Sequence, residues 1–178
     1  RSGPSGRAST VVGFALAISP RERGAAMSKE GISGVLAREN RALLENLGQF
    51  ERALTRNSID SMKEIVRAFE SQLSLHLRGQ EEAFFPVLSR HLRGRGEPVT
   101  RRRVEGREHE GRVKELRTHL EAGRWGKFLH EGRVFVAFLR EYLVAGDDVL
   151  LPLARRVLSP EEWNVVRRGY ESIGSSHA

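Results

Sequence analysis

His76-Leu77-Arg78-Gly79-Gln80-Glu81-Glu82-Ala83-Phe84-Phe85-Pro86 is the stretch on which the fold turns. His76 and Gln80 stand one helical turn apart, two carboxylates follow, and an aromatic pair runs into a proline. A second segment, Tyr142-Leu143-Val144-Ala145-Gly146-Asp147-Asp148-Val149-Leu150-Leu151-Pro152, repeats the plan. Counted back from the proline, the two align without a gap, pairing His76 with Tyr142 and Gln80 with Gly146. Such a repeat implies two helices of one bundle presenting polar positions to a shared interior. In the second copy the histidine has been lost.

Working outward, the flanking sequence reads as successive amphipathic helices. From about Ile32, the residues Leu36, Asn40, Leu43, Leu47, Phe50 and Leu54 recur at alternating spacings of four and three, which makes one buried stripe. Thr55-Arg56-Asn57-Ser58 reads as a turn with an N-cap. The second stripe is Met62, Ile65/Val66, Phe69, Leu73, His76 and Gln80. Pro86 must kink or restart this helix, because it lacks the amide donor and clashes with the preceding turn. A loop is predicted from Arg90 to about Val99, broken by Gly94, Gly96 and Pro98, with Thr100 as the next cap. The third stripe is Gly106, His109, Val113, Leu116 and Leu120, ended by Ala122-Gly123. The fourth begins near Trp125 and runs Phe128, Phe135, Phe138, Tyr142 and then Gly146 or Val149. Ser159-Pro160-Glu161-Glu162 opens a last short helix, with serine at the cap, proline first and glutamate third.

Four helices of roughly 20 residues joined by short loops predict an all-α, up-down-up-down four-helix bundle with an additional short C-terminal helix. The 39% hydrophobic content suffices for four one-sided helices around one core, and no alternating strand pattern competes. We place that bundle over residues 31–178 and read residues 1–30 as a leader or a loosely ordered extension. The apolar run from Val11 to Ile18 is far short of the roughly 20 residues needed to span a bilayer. Arg1 and Arg7 before it also fit a targeting segment, whereas Met27-Ser28-Lys29-Glu30 fits an internal start; the overall expectation is a cytoplasmic protein. The chain has no cysteine, so disulfides and thiolate metal sites are excluded.

Each helix carries a polar residue where its stripe should be apolar: Asn40, His76 with Gln80, His109, and Tyr142. Bundle interiors bind metals through inward side chains of this kind. At this point the chain resembles the hemerythrin-like (HHE cation-binding) four-helix bundles, over about Gly34 to Leu158. The family's Glu-His of the first helix falls on Glu39-Asn40. Its His with Glu one turn later falls on His76 and Gln80, ahead of Glu81-Glu82-Ala83-Phe84-Phe85-Pro86. Its third-helix Glu-His falls on Glu108-His109, with the further histidine at Val113. Its fourth-helix repeat falls on Tyr142, Gly146, Asp147-Asp148 and Leu151-Pro152.

The resemblance implies a hemerythrin-type bundle whose ancestral site holds a pair of irons with five histidines and two bridging carboxylates. Here Asn40, Gln80, Val113 and Gly146 replace ligand positions, and Tyr142 replaces a histidine. The two bridging carboxylates would offset much of the metal charge, and neutral Gln80 does not. An intact binuclear site in another register stays open, and so do two further arrangements. His76, His109, Asp147 and Tyr142 (with Glu81 as a lesser candidate) could hold one iron in a mononuclear or altered site. Alternatively Asn40 and Gln80 hydrogen-bond the two histidines and no metal is bound. His91, His119, His130 and His177 lie off the stripes and read as surface residues.

The formal charge of +7 is carried almost wholly by arginine. Seven arginines fall between Arg90 and Arg107, against Glu97 and Glu105. Arg101, Arg102 and Arg103 are therefore candidate anion contacts. No aromatic residue interleaves with them, so base stacking is not indicated. No nucleophile elbow, phosphate-binding glycine loop or other catalytic constellation is present, which leans against an enzyme. Three functions follow: a binding protein for iron, oxygen or a related small ligand; a bundle that lost its di-iron centre and serves as a binding or regulatory module; or a basic accessory protein that meets nucleic acid or an acidic partner through Arg90–Arg107. Trp125, Trp163 and Tyr170 are candidate contacts for an oligomer.

Overall fold

A computed structural model describes residues 20–56, 59–92 and 97–175, and every regular element among them is helical. The elements are α1 (Pro20–Arg56), α2 (Ile59–Gly79), α3 (Phe85–Ser89), α4 (Glu97–Glu121), α5 (Trp125–Ala145), α6 (Leu151–Val157) and α7 (Pro160–Ser175). Two π-helical turns, Gln80–Phe84 and Gly146–Leu150, join α2 to α3 and α5 to α6. α1 and α4 each pack against both α2 and α5, so the four long helices close into the expected bundle. No helix among the described residues is long and apolar enough to cross a membrane.

The two π-turns occupy equivalent places in the repeat. Each begins at the position one turn after His76 or Tyr142 and ends two residues before the proline. Widening the helix by one residue removes the clash between the proline ring and the carbonyl four residues back, and it absorbs the missing donor. Each proline then lies in the first turn of a new α-segment. The repeat is thus structural as well as sequential.

The stripes of the first three helices are buried as predicted, from Leu36 to Leu54, Met62 to Gln80 and Gly106 to Leu120. The fourth differs. Phe138 is 51% exposed and Val149 56% exposed, and the inward positions are Phe128, Gly132, Phe135, Leu139, Tyr142 and Gly146. A run as apolar as Val134-Phe135-Val136-Ala137-Phe138-Leu139 leaves two faces to choose from, and packing against Phe50 and Phe69 selects Phe135.

Other boundaries also move. α4 begins at Glu97 rather than after a cap at Thr100, because Pro98 is tolerated in a first helical turn and Val99 is buried there. Most of the basic stretch is therefore helix. Upstream, the helix reaches back to Pro20, with a break at Gly31 (φ 68°) that only glycine accepts readily. Residues 1–19, with the apolar run Val11–Ile18, lie outside the described residues, as do Asn57 and Ser58 and the glycines at 94 and 96. Gly123 (φ 65°) terminates α4 as expected.

α7 closes one end of the bundle. Its start is a reciprocal capping box: the Ser159 amide donates to Glu162 Oε2 at 2.9 Å, and the Glu162 amide donates to Ser159 Oγ at 3.3 Å. The Ser159 amide and then His91 hold the Glu162 carboxyl below its ordinary range. Tyr170 is fully buried, which removes it from the expected oligomer contacts; Trp163, stacked on Phe84 (6.1 Å, 18°), and Trp125, packed on the core, are partly buried. Burying Tyr170 requires a helix with no side chain at the contact. A Cβ on Gly79 would stand 2.4 Å from Tyr170 Cε1, and one on Gly169 would stand 2.6 Å from Ala83 Cβ.

Gly79→Ala should accordingly destabilise the protein by about 1–3 kcal/mol despite alanine's better helix propensity. Urea unfolding of Gly79→Ala, Tyr170→Ala and the double variant tests this. The double variant should recover part of the loss, and strictly additive losses would refute the packing account.

Candidate functional site

The bundle core is divided in two. One apolar cluster runs from Leu43 to Leu143 through Phe50, Phe69, Phe128 and Phe135. The other collects Ile32, Val35, Phe84, Phe85, Leu150, Leu151, Val166 and Tyr170 at the α7 end. Most of the buried polar residues belong to a layer between them: Glu39, Asn40, His76, Gln80, Arg102, His109 and the phenol of Tyr142. The layer lies at the first turn of both π-segments, so it coincides with the predicted site.

Side-chain hydrogen bonds in this layer form a directed chain. The Tyr142 hydroxyl donates to Gln80 Oε1 at 2.7 Å. That contact fixes the amide orientation, so Gln80 Nε2 donates to His76 Nε2 at 2.9 Å. His76 then carries its proton on Nδ1, which faces Glu39 Oε2 at 3.4 Å. Burial, partly opposed by Arg102, pushes the Tyr142 phenol up to about 12, consistent with its role as a neutral donor. The glutamine and the tyrosine thus hold one another in place, and the glutamine occupies the imidazole nitrogen that a metal would need.

Asn40 does not bond a histidine. Its Nδ2 donates instead to Asp147 Oδ1 at 2.7 Å. His109 sits edge-on to Tyr142 (5.0 Å) and Phe135 (6.4 Å), with Nδ1 lacking a hydrogen-bond partner. Burial, reinforced by Arg112, pushes its imidazole down to about 4, so it is neutral near pH 7. Val113 is buried in the apolar cluster next to it.

Arg102 was expected with Arg101 and Arg103 as a candidate anion contact, and what the sequence did not reveal is its burial: only 6% of it is exposed. Its guanidinium carbon lies 3.4 Å above the centroid of the Tyr142 ring. The nearest carboxylate oxygen recorded for it, Glu105 Oε2, is 3.7 Å from Nη1, and Nε and Nη2 have no hydrogen-bond partner. Burial pulls the guanidinium below its ordinary value, opposed by Tyr142 and Glu105. The periodicity did carry a signal: Arg102 lies one turn before Gly106, so the third stripe begins with it.

Space for the guanidinium comes from Gly146. A Cβ there would stand 3.0 Å from Asn40 Nδ2 and 3.1 Å from Arg102 Nη2. Any side chain at this position would require Asn40 and Arg102 to give way by a few tenths of an ångström. Gly106 plays a similar part for Tyr142, whose hydroxyl would be 3.3 Å from an added Cβ.

The expected ligands are therefore only partly convergent. His109 and Tyr142 touch, His76 is joined to Tyr142 through Gln80, and Asp147 is held by Asn40. Among the described residues, no group of three or more His, Asp or Glu side chains is placed to hold a metal ion. Glu81 lies outside the layer, facing Arg103 Nε at 3.2 Å and Arg107 Nη2 at 3.6 Å. Arg101 pairs with Glu105 at 2.7 Å on the surface. Two irons do not fit this donor set, because the bridging acids are absent and a fixed positive charge stands among the remaining donors.

Because the folded protein protonates His109 only near pH 4 and the unfolded chain near 6.5, the folded state binds the fewer protons between these values. Its contribution to stability is complete above about pH 6.5 and is lost as pH falls to about 4. His109→Leu should flatten the acid side of the stability profile over that window, read from urea midpoints at a series of pH values. A profile parallel to that of the wild type would contradict the assignment.

Comparison with known protein families gives one match, to Hemerythrin, described as the hemerythrin HHE cation binding domain, over residues 32–154. No curated protein matches the sequence.

Proposed function

The chain belongs to the hemerythrin HHE cation-binding domain family, and we propose that it uses the family's bundle as a small-ligand-binding or regulatory module without a di-iron centre. The observation that carries this reading is Arg102, whose guanidinium lies on Tyr142 and against the space left by Gly146. A guanidinium cannot be deprotonated under ordinary conditions, so it repels a nearby metal cation permanently. It also takes over part of a metal's structural role, since a positive charge in the layer offsets the acids that line it.

The hydrogen-bond chain supports the same reading. An iron on His76 Nε2 would have to break the Gln80 contact and strand the buried Gln80 Nε2, at a cost of about 1–3 kcal/mol. Within α4, three exposed or half-buried arginines of the basic stretch face acids, Arg101 against Glu105 and Arg103 and Arg107 against Glu81. That pairing favours a role for the interior over nucleic-acid binding along α4.

Protein produced with excess iron and purified without chelator should contain far less than one iron per chain. His76→Ala and His109→Ala should alter its stability and leave its metal content unchanged. Two irons per chain with an oxo-to-iron absorption band would overturn the proposal.

A further inference from the structure

A cavity of about 650 Å³ opens between α4 and α5 and reaches down to the polar layer, where Arg102, His109 and Tyr142 line it. This is within the size range of ordinary small-molecule sites. Its wall includes the side chains of Phe138, which was predicted to be core, and Val149, both more than half exposed. A deep cation and an apolar wall are the two halves of an amphiphile-binding site.

We infer that this cavity binds a small organic monocarboxylate, with the carboxylate received by Arg102 and the hydrocarbon part laid against the Val149 end of its wall. The inference rests on the proposed function, since a di-iron centre would occupy the same layer.

The anionic head follows from the arginine. It is more than nine-tenths buried, Nε and Nη2 have no hydrogen-bond partner, and Glu105 is too far from Nη1 to bond it. A guanidinium whose donors are this poorly satisfied gains from an anionic acceptor on its cavity side, through a charge-assisted hydrogen bond. His109, whose Nδ1 is also unpartnered, lines the same cavity. A single small charge is favoured over a polyanion, because Glu105, Glu108 and Glu141 line the same cavity as Arg101 and Arg112 and roughly balance them. The apolar part follows from Val149, which is 56% exposed on that wall: an apolar side chain this exposed forgoes about 25 cal/mol of favourable transfer energy per Å² left in water.

Calorimetric titration of the full chain with sodium hexanoate, on protein whose iron content has been measured, tests the inference. Hexanoate should bind, hexanol and inorganic phosphate should bind at least about tenfold more weakly, and Arg102→Met should lose about tenfold or more. Val149→Asp, at an exposed position that leaves the core intact, should weaken hexanoate to a similar degree, so the test survives if Arg102→Met fails to fold. Iron-free protein that ignores hexanoate at about 10 mM, or binds phosphate as well, overturns the carboxylate site and leaves the proposed function standing. Two irons per chain overturns that function first.

Discussion

A guanidinium buried among four helices must be compensated where it lies, and much of the layer's arrangement follows from how Arg102 meets that demand. It rests on the face of Tyr142, where ring and cation attract. It needs room, so the facing helix offers Gly146. It needs negative charge nearby, and Glu105 faces it from the next turn of its own helix. Tyr142, held by the arginine from one side, orients Gln80, and Gln80 orients His76 toward Glu39. Removing the arginine would leave Tyr142 and Gly146 beside an unfilled space in a close-packed interior.

The polar layer also explains the division of the core. Apolar side chains alone would fuse the two clusters. The layer keeps them apart because several of its members bond one another across helices, Tyr142 to Gln80, His76 to Glu39 and Asn40 to Asp147, and such bonds are directional. The same directionality ties the helices to one register. The two π-turns contribute by widening the helices where Gln80 and Gly146 enter the interior, with each proline placed just beyond.

Fold and site were unequally legible. The stripes of the first three helices, the capping box at Ser159 and the stop at Gly123 were readable because each rests on contacts a few residues apart. The fourth stripe was misread at Phe138 and left open between Gly146 and Val149, since a helix apolar on adjacent faces does not say which one is inside. Arg102 was misread for the opposite reason. Arginine is rarely buried, and one in a run of three carries no mark that separates it from its neighbours. Its position one turn before Gly106 was the available clue.

By itself, then, the sequence determined the bundle, the order of its helices, the repeat that places His76 opposite Tyr142 and the family to which both belong. It also exposed the missing ligands, because a replaced residue is visible at its own position. What replaced them was decided only by the tertiary structure. Whether a glutamine holds a histidine or a tyrosine, and whether an arginine points to water or to a vacated glycine, depends on groups brought together from other helices. Periodicity fixes the direction in which a side chain leaves its helix. It does not fix what that side chain finds there.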